Sequence, residues 1–182
     1  MNSDHRPKLG RCDLVILFCQ LRLLVMDVFI GLIHMYGKTG RGVQISSSNE
    51  VVLSADVRGA TAFLLVACRA WNTVTEVLRP RCISLMDANR ADWYVRHNRS
   101  YLSVESENDT VNLPQFQLDS SFIMHSDKFY PGYYALESLS FPYWYIESHG
   151  DERLGIVRRN IATDYNYDAA SFIVYDYNTS ST

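Results

Sequence analysis

The sequence predicts an all-β protein, a β-trefoil of three pseudo-repeats, preceded by a short apolar N-terminal segment. Three observations carry this expectation. Beyond about residue 40, short apolar and aromatic runs alternate with Asn, Asp, Ser and Gly clusters, and helical periodicity is absent. A Trp-Tyr-aliphatic element occurs as "WYVRH" at 93–97 and again, 51 residues later, as "WYIES" at 144–148. Phe-Ile recurs at 122–123 and 172–173, 50 residues apart. A repeat of that length holds about four short strands, too few to bury one face of a sheet alone. Three copies around an axis bury the face and remove the open edges.

The N-terminal segment comes first. Residues 14–35 read "LVILFCQLRLLVMDVFIGLIHM", long enough to span a bilayer but interrupted by Gln20, Arg22 and Asp27. A charge near the centre of a membrane helix costs about 2.5–3.5 kcal/mol, and no small-residue cleavage site follows. Residues 1–40 therefore read as a signal- or anchor-like segment, a buried helix, or sequence from an incorrect gene start. A membrane enters only if 14–35 acts as a signal anchor. The glycines of "YGKTGRG" mark the boundary, which puts the β domain at 41–178.

The first copy, "VQISSSNEVVLSADVRGATAFLLV", keeps an opening strand, a second strand ending in Leu53 and a closing strand at Phe63, but lacks the aromatic pair. The second runs from 83 to 125 and the third from 134 to 175. Aligning them superposes Trp93 on Trp144, Tyr94 on Tyr145, Val95 on Ile146 and Leu102 on Leu154. The aliphatic and aromatic residues at repeated positions, Leu102, Val104, Leu154, Ile156, Phe122 and Phe172, are expected in the core.

Composition narrows the function. With 182 residues, 47% of them apolar, the chain can bury a real core, and its net charge of −3 offers no footprint for nucleic acid. Twelve Tyr and three Trp suit strands, and equally suit sugar sites, where ring faces stack on C–H groups. Cysteines at 12, 19, 68 and 82 have no metal-ligand spacing, so neither metal nor cofactor is expected. Cys68 and Cys82 are either a disulfide, if the compartment is oxidising, or two buried thiols. Sequons at Asn98, Asn108 and Asn178 lean towards secretion.

The copies agree in their core and differ in their polar residues, so the differences are where a site can be built. His97 ends "WYVRH", and Asp119 lies three residues before Phe122 in "LDSSF"; both are expected at strand ends. An imidazole, a carboxylate and nearby aromatics can form a cup for a sugar: the carboxylate accepts from hydroxyls and a ring covers the C–H face. A surface His and a turn-forming Asp would read the same way.

The segments "WYVRH…LDSSF" and "LESLSFPYWYI…DAASF" resemble the arabinose-binding domain of fungal α-L-arabinofuranosidase B, a family 42 carbohydrate-binding module. The resemblance covers about 42–177 and is densest over 83–177. It implies a β-trefoil with one arabinofuranose pocket per repeat, in which the His of an Arg-His motif and the Asp of Asp-Ala-(Thr/Ser)-Phe hold the sugar. Carried over, these are His97 and Asp119, with Tyr94 and Trp93 as neighbouring aromatics. The third copy departs: Glu147-Ser148 replaces Arg-His, His149 is one residue late and Asp168 one residue early. His149, Asp168 and Tyr145 are therefore the second-rank candidates. The first copy has no His, and Ala60 stands where the Asp would be.

The function that follows is a carbohydrate-binding module for arabinofuranosyl side chains of hemicellulose or a related glycan, extracellular, and part of a glycosidase in L-arabinose metabolism. Its alternative is a non-catalytic trefoil scaffold or protein-interaction domain with decayed sugar pockets. The family is associated with α-L-arabinofuranosidase activity. Glycoside hydrolysis needs two carboxylates facing each other across the bond, and nothing in the chain pairs Glu137, Glu147, Asp164 or Asp168 in that way, so no catalytic residue is expected.

Overall fold

The computed structural model describes residues 31–150, 152–160, 163–164 and 166–176. Among the described residues most regular segments are strands, with one α-helix. Six strands form a closed ring: β1 (Gly31–Gly37), β4 (Ala62–Ala67), β5 (Cys82–Asp87), β8 (Phe122–Ser126), β9 (Tyr134–Ser138) and β12 (Phe172–Asp176). Each pairs antiparallel with the next, and β12 pairs with β1, from Ile33 opposite Asp176 to Gly37 opposite Phe172. Every ring strand thus has a partner on both sides, which leaves no open edge in the ring.

Six further strands form three hairpins beside it: β2 (Gly42–Ile45) with β3 (Val51–Ser54), β6 (Trp93–His97) with β7 (Leu102–Ser106), and β10 (Trp144–Ser148) with β11 (Leu154–Arg158). The hairpins touch through single bridges, Glu50 to Ser103, Val52 to Arg153 and Tyr101 to Gly155. At the last of these the backbones approach so closely that a Cβ on Gly155 would sit 2.0 Å from the Ser100 carbonyl oxygen. Only glycine fits there.

Alternation along the strands builds the interior. Phe63, Phe122 and Phe172, on β4, β8 and β12, are completely buried in one cluster with Val95, Leu102, Val104, Leu136, Ile146, Leu154 and Ile156. All the repeated positions expected in the core are there. The Trp-Tyr-aliphatic elements serve the same purpose: Tyr94, Val95, Tyr145 and Ile146 are buried, while Trp93 and Trp144 pack against the cluster from its rim.

Two expectations are corrected. The β domain does not begin at 41, because β1 already closes the ring with residues 31–37. In "GLIHMYG", Ile33 and Met35 are buried while His34 and Tyr36 are less so. That two-residue period was hidden in the tail of a longer apolar run, so the 31–35 end of the run is strand rather than helix. Residues 14–30, and with them the signal, anchor or helix readings, lie outside the described residues, as does Asn178. Among the described residues, no helix is long and apolar enough to cross a membrane. The second correction is a helix, α1 (Leu113–Asp119), inside the part read as all strand. Asn112 caps it by accepting from the Gln115 N–H, and Pro114 sits in its first turn.

The link between β4 and β5 is stapled by a Cys68–Cys82 disulfide. Val74, Ile123, Trp71, Leu78 and Leu139 surround it in a second apolar cluster.

Candidate functional site

Strand β6 ends at His97 and α1 ends at Asp119. The fold brings the two together, with His97 Nε2 3.8 Å from Asp119 Oδ1. Asp119 therefore arrives from a helix C-terminus and not from a strand end. A carboxylate is poorly placed there, since the last turn carries the negative end of the helix dipole. It is compensated by donors. Gln115, one turn earlier, donates Nε2–H to Oδ1 at 2.8 Å, and Arg96 reaches Oδ2 at 3.4 Å.

Two serines that sequence reasoning missed complete the cluster. Ser138 ends β9, and Ser140 lies in the turn that follows. His97 Nε2 is 2.9 Å from Ser138 Oγ and 3.0 Å from Ser140 Oγ, and Ser140 donates to Asp119 Oδ1 at 3.1 Å. The signal was present as Ser-Leu-Ser in "LESLSF", where alternation points both hydroxyls the same way. On the other ring nitrogen, Nδ1 accepts from the Arg99 N–H at 3.4 Å. That bond assigns the neutral ring with its proton on Nε2. Burial moves the His97 pKa down to about 4, with the Arg96 charge helping and the Asp119 charge opposing.

The aromatic neighbours differ from those expected. The ring beside His97 is Phe141, centroid to centroid 5.6 Å, backed by Trp144. Tyr94 faces the other side of β6, edge-on to Phe116 of α1 and under the Arg69 guanidinium. It supports the helix that carries Asp119. Trp93 lies at the far end of β6, four residues or about 13 Å from His97, with Arg90 stacked 4.2 Å over its ring. Neither Tyr94 nor Trp93 lines the cluster.

The second-rank residues do not assemble. Asp168 is paired with Lys38 at 2.8 Å, and Lys38 also lies 4.2 Å over the Tyr130 ring. Lys38 and Tyr130 hold the Asp168 carboxyl below its usual range. His149 instead lies against Tyr101 and Gly155, its Nε2 buried without a hydrogen-bond partner. Ser148 takes the register place of His97, since it faces Leu154 as His97 faces Leu102. Glu147 forms a bidentate ion pair with Arg159. Tyr145 is buried against Phe129 and donates to Glu137, which also binds His125 at 2.7 Å.

Chemically, the His97–Asp119 cluster holds one hydroxyl between an imidazole N–H and a carboxylate oxygen, with an aromatic ring alongside. At present Ser140 supplies that hydroxyl. No group of three or more His, Cys, Asp or Glu among the described residues could hold a metal.

Comparison with known proteins gives three results. A family model described as the alpha-L-arabinofuranosidase B (ABFB) domain matches residues 34–174. Among solved structures, a GH54 α-L-arabinofuranosidase soaked with a cyclic sulfate inhibitor superposes with a TM-score of 0.60 at 17% identity, covering 81% of this chain and 31% of that one. An arabinofuranosidase complexed with arabinofuranosyl-α-1,2-xylobiose gives a TM-score of 0.60 at 18% identity, with the same coverage. This chain thus corresponds to about a third of the length of those proteins. Comparison with curated proteins returns no match.

Proposed function

The chain belongs to the α-L-arabinofuranosidase B (ABFB) domain family, and from that premise we propose that it is a β-trefoil carbohydrate-binding module with one arabinofuranosyl-binding pocket at His97 and Asp119. The three-repeat reading is supported by the ring and its three hairpins. The observation that carries the pocket is the Ser140 hydroxyl, shared between His97 and Asp119. A sugar hydroxyl entering there would meet the same acceptor and donor, and Phe141 would cover a C–H face. Tyr94 and Trp93 contribute no contact in this reading. The Asp168 position of the third copy is filled by Lys38, which leaves one site instead of three. Catalysis is assigned to no residue of this chain. The Cys68–Cys82 disulfide favours an extracellular setting.

One observation favours a second reading, a scaffold whose sugar pocket has closed: His97 is completely buried and its polar atoms are satisfied from within. In the binding reading, the turn carrying Ser140 must yield to the ligand.

Calorimetry with methyl α-L-arabinofuranoside separates the two readings. The binding reading expects one site of about millimolar affinity, roughly −4 kcal/mol. Asp119→Asn should weaken it at least tenfold, because it replaces one acceptor oxygen with a donor. Asn98, one residue from His97, lies in a sequon, so glycosylated and deglycosylated protein are both measured. Absence of binding in both forms supports the scaffold, whereas binding that Asp119→Asn leaves intact overturns the His97–Asp119 pocket.

A further inference from the structure

A second recess opens at the other end of β6. It is a cleft of about 360 Å³ between the β2–β3 turn and the β6–β7 hairpin, walled by Ser48, Asn49, Trp93, Ser103, Glu105 and Asp109. Its volume falls in the range of small-molecule sites, about 300–1,000 Å³. We propose that this cleft is a second binding subsite, for a neutral oligosaccharide.

The walls are set before any ligand arrives. Arg90 ties two of them together: it stacks on Trp93 and donates to Asn49 Oδ1 at 2.8 Å, and it is itself held by Asp87 at 2.6 Å. The Val104 N–H donates to the Asn49 carbonyl at 2.8 Å, which locks the turn to β7. Glu105 is fixed by Ser103 at 2.7 Å and Arg96 at 3.0 Å. Groups held this rigidly lose little entropy on binding.

The chemistry selects the ligand. The Ser48 and Ser103 hydroxyl oxygens and the carboxylates of Glu105 and Asp109 offer acceptors, and the Asn49 amide NH2 offers donors, as a polyol requires. Trp93 supplies an apolar strip. Two carboxylates repel phosphates, uronates and nucleic acid. The ligand class rests on the carbohydrate-binding reading above, but the site does not share the His97 cluster. Arg96 does touch both regions, through Glu105 here and Asp119 there, so the test must separate binding from relayed change.

The indole N–H resonances of the full chain provide that separation. Trp93 lines the cleft, and Trp144 packs on Phe141 beside His97. The Trp93 peak is identified by its loss in Trp93→Phe. Xylotetraose, arabinotetraose and cellotetraose are titrated in turn, and methyl α-L-arabinofuranoside is used to address the His97 cluster. At least one tetrasaccharide should shift Trp93 saturably. Asp109→Ala, an exposed substitution, should weaken that binding at least tenfold, while Asp119→Asn leaves it unchanged. No Trp93 shift with any of the three, a shift abolished by Asp119→Asn, or affinity unmoved by both Asp109→Ala and Ser103→Ala overturns the proposal. The Trp144 response to the furanoside reports independently on the His97 pocket, so failure of one site is distinguished from failure of the other.

Discussion

His97 and Asp119 stand 3.8 Å apart and are joined by a shared hydroxyl, that of Ser140, rather than by a direct bond. A neutral imidazole can donate only one proton from Nε2, so at any instant either Ser138 or Ser140 accepts it. The Asp119 carboxylate accepts hydrogen bonds from Ser140, Gln115 and Arg96. The cluster is thus a set of polar groups whose needs are met by short-range partners in an otherwise apolar setting.

This has a consequence in acid. The His97 pKa of about 4 lies below the unfolded value of 6.5. Between those limits the unfolded chain binds a proton that the folded chain refuses, so stability falls as pH drops from 6.5 towards 4. The full effect is about 3 kcal/mol, from about 1.4 kcal/mol per unit. Denaturant melts at pH 7 and pH 4 should show His97→Gln losing less stability on acidification than the parent.

The Cys68–Cys82 disulfide closes a loop with a sequence separation of 14 residues. A loop of that size contributes about 3 kcal/mol in the chain-entropy model. Reduction, or Cys82→Ser, should lower the melting midpoint accordingly. Protein whose midpoint is unchanged by reductant would show that the apolar cluster around the cysteines suffices.

Phe122 is completely buried and faces Ile83 and Ser138 across two ring interfaces. Phe122→Ala should cost about 3–5 kcal/mol, and Phe122→Leu clearly less. Urea midpoints at neutral pH measure both.

Lys38 and Asp168 can be probed by titration. The hydrogen bond from Lys38 comes first among the causes that depress the Asp168 carboxyl. Its stabilising effect is present above the unfolded pKa and disappears as pH falls through the folded one. In Lys38→Met the Asp168 pKa, followed by carboxyl NMR, should rise towards 3.8.

Much of this was legible in the sequence because it rests on short-range periodicity. Phe122, Phe172 and the Trp-Tyr-aliphatic strands recur at a fixed interval, and every repeated aliphatic position proved to be core. His97 and Asp119 were named from their places relative to those strands. What could not be read depends on distant segments. Ser138 and Ser140 reach the cluster only because β9 pairs with β8. Trp93 is named in the sequence as a neighbouring aromatic, yet four residues of extended strand put it about 13 Å from His97. β1 was lost in a longer apolar run. α1 is seven residues long, too short for a 3.6-residue period to register.

The ring described above is sealed by β1 against β12, the first and last strands of the described chain. Pairing Ile33 with Asp176 is the most non-local contact such a barrel can make, and loop closure over so long a stretch is entropically unfavourable until the intervening strands have condensed. Of the six ring strands β1 is made before the others, and the edge that β12 covers stays open until β12 is in place. The seam is therefore the pairing in the ring that carries the largest loop-closure cost.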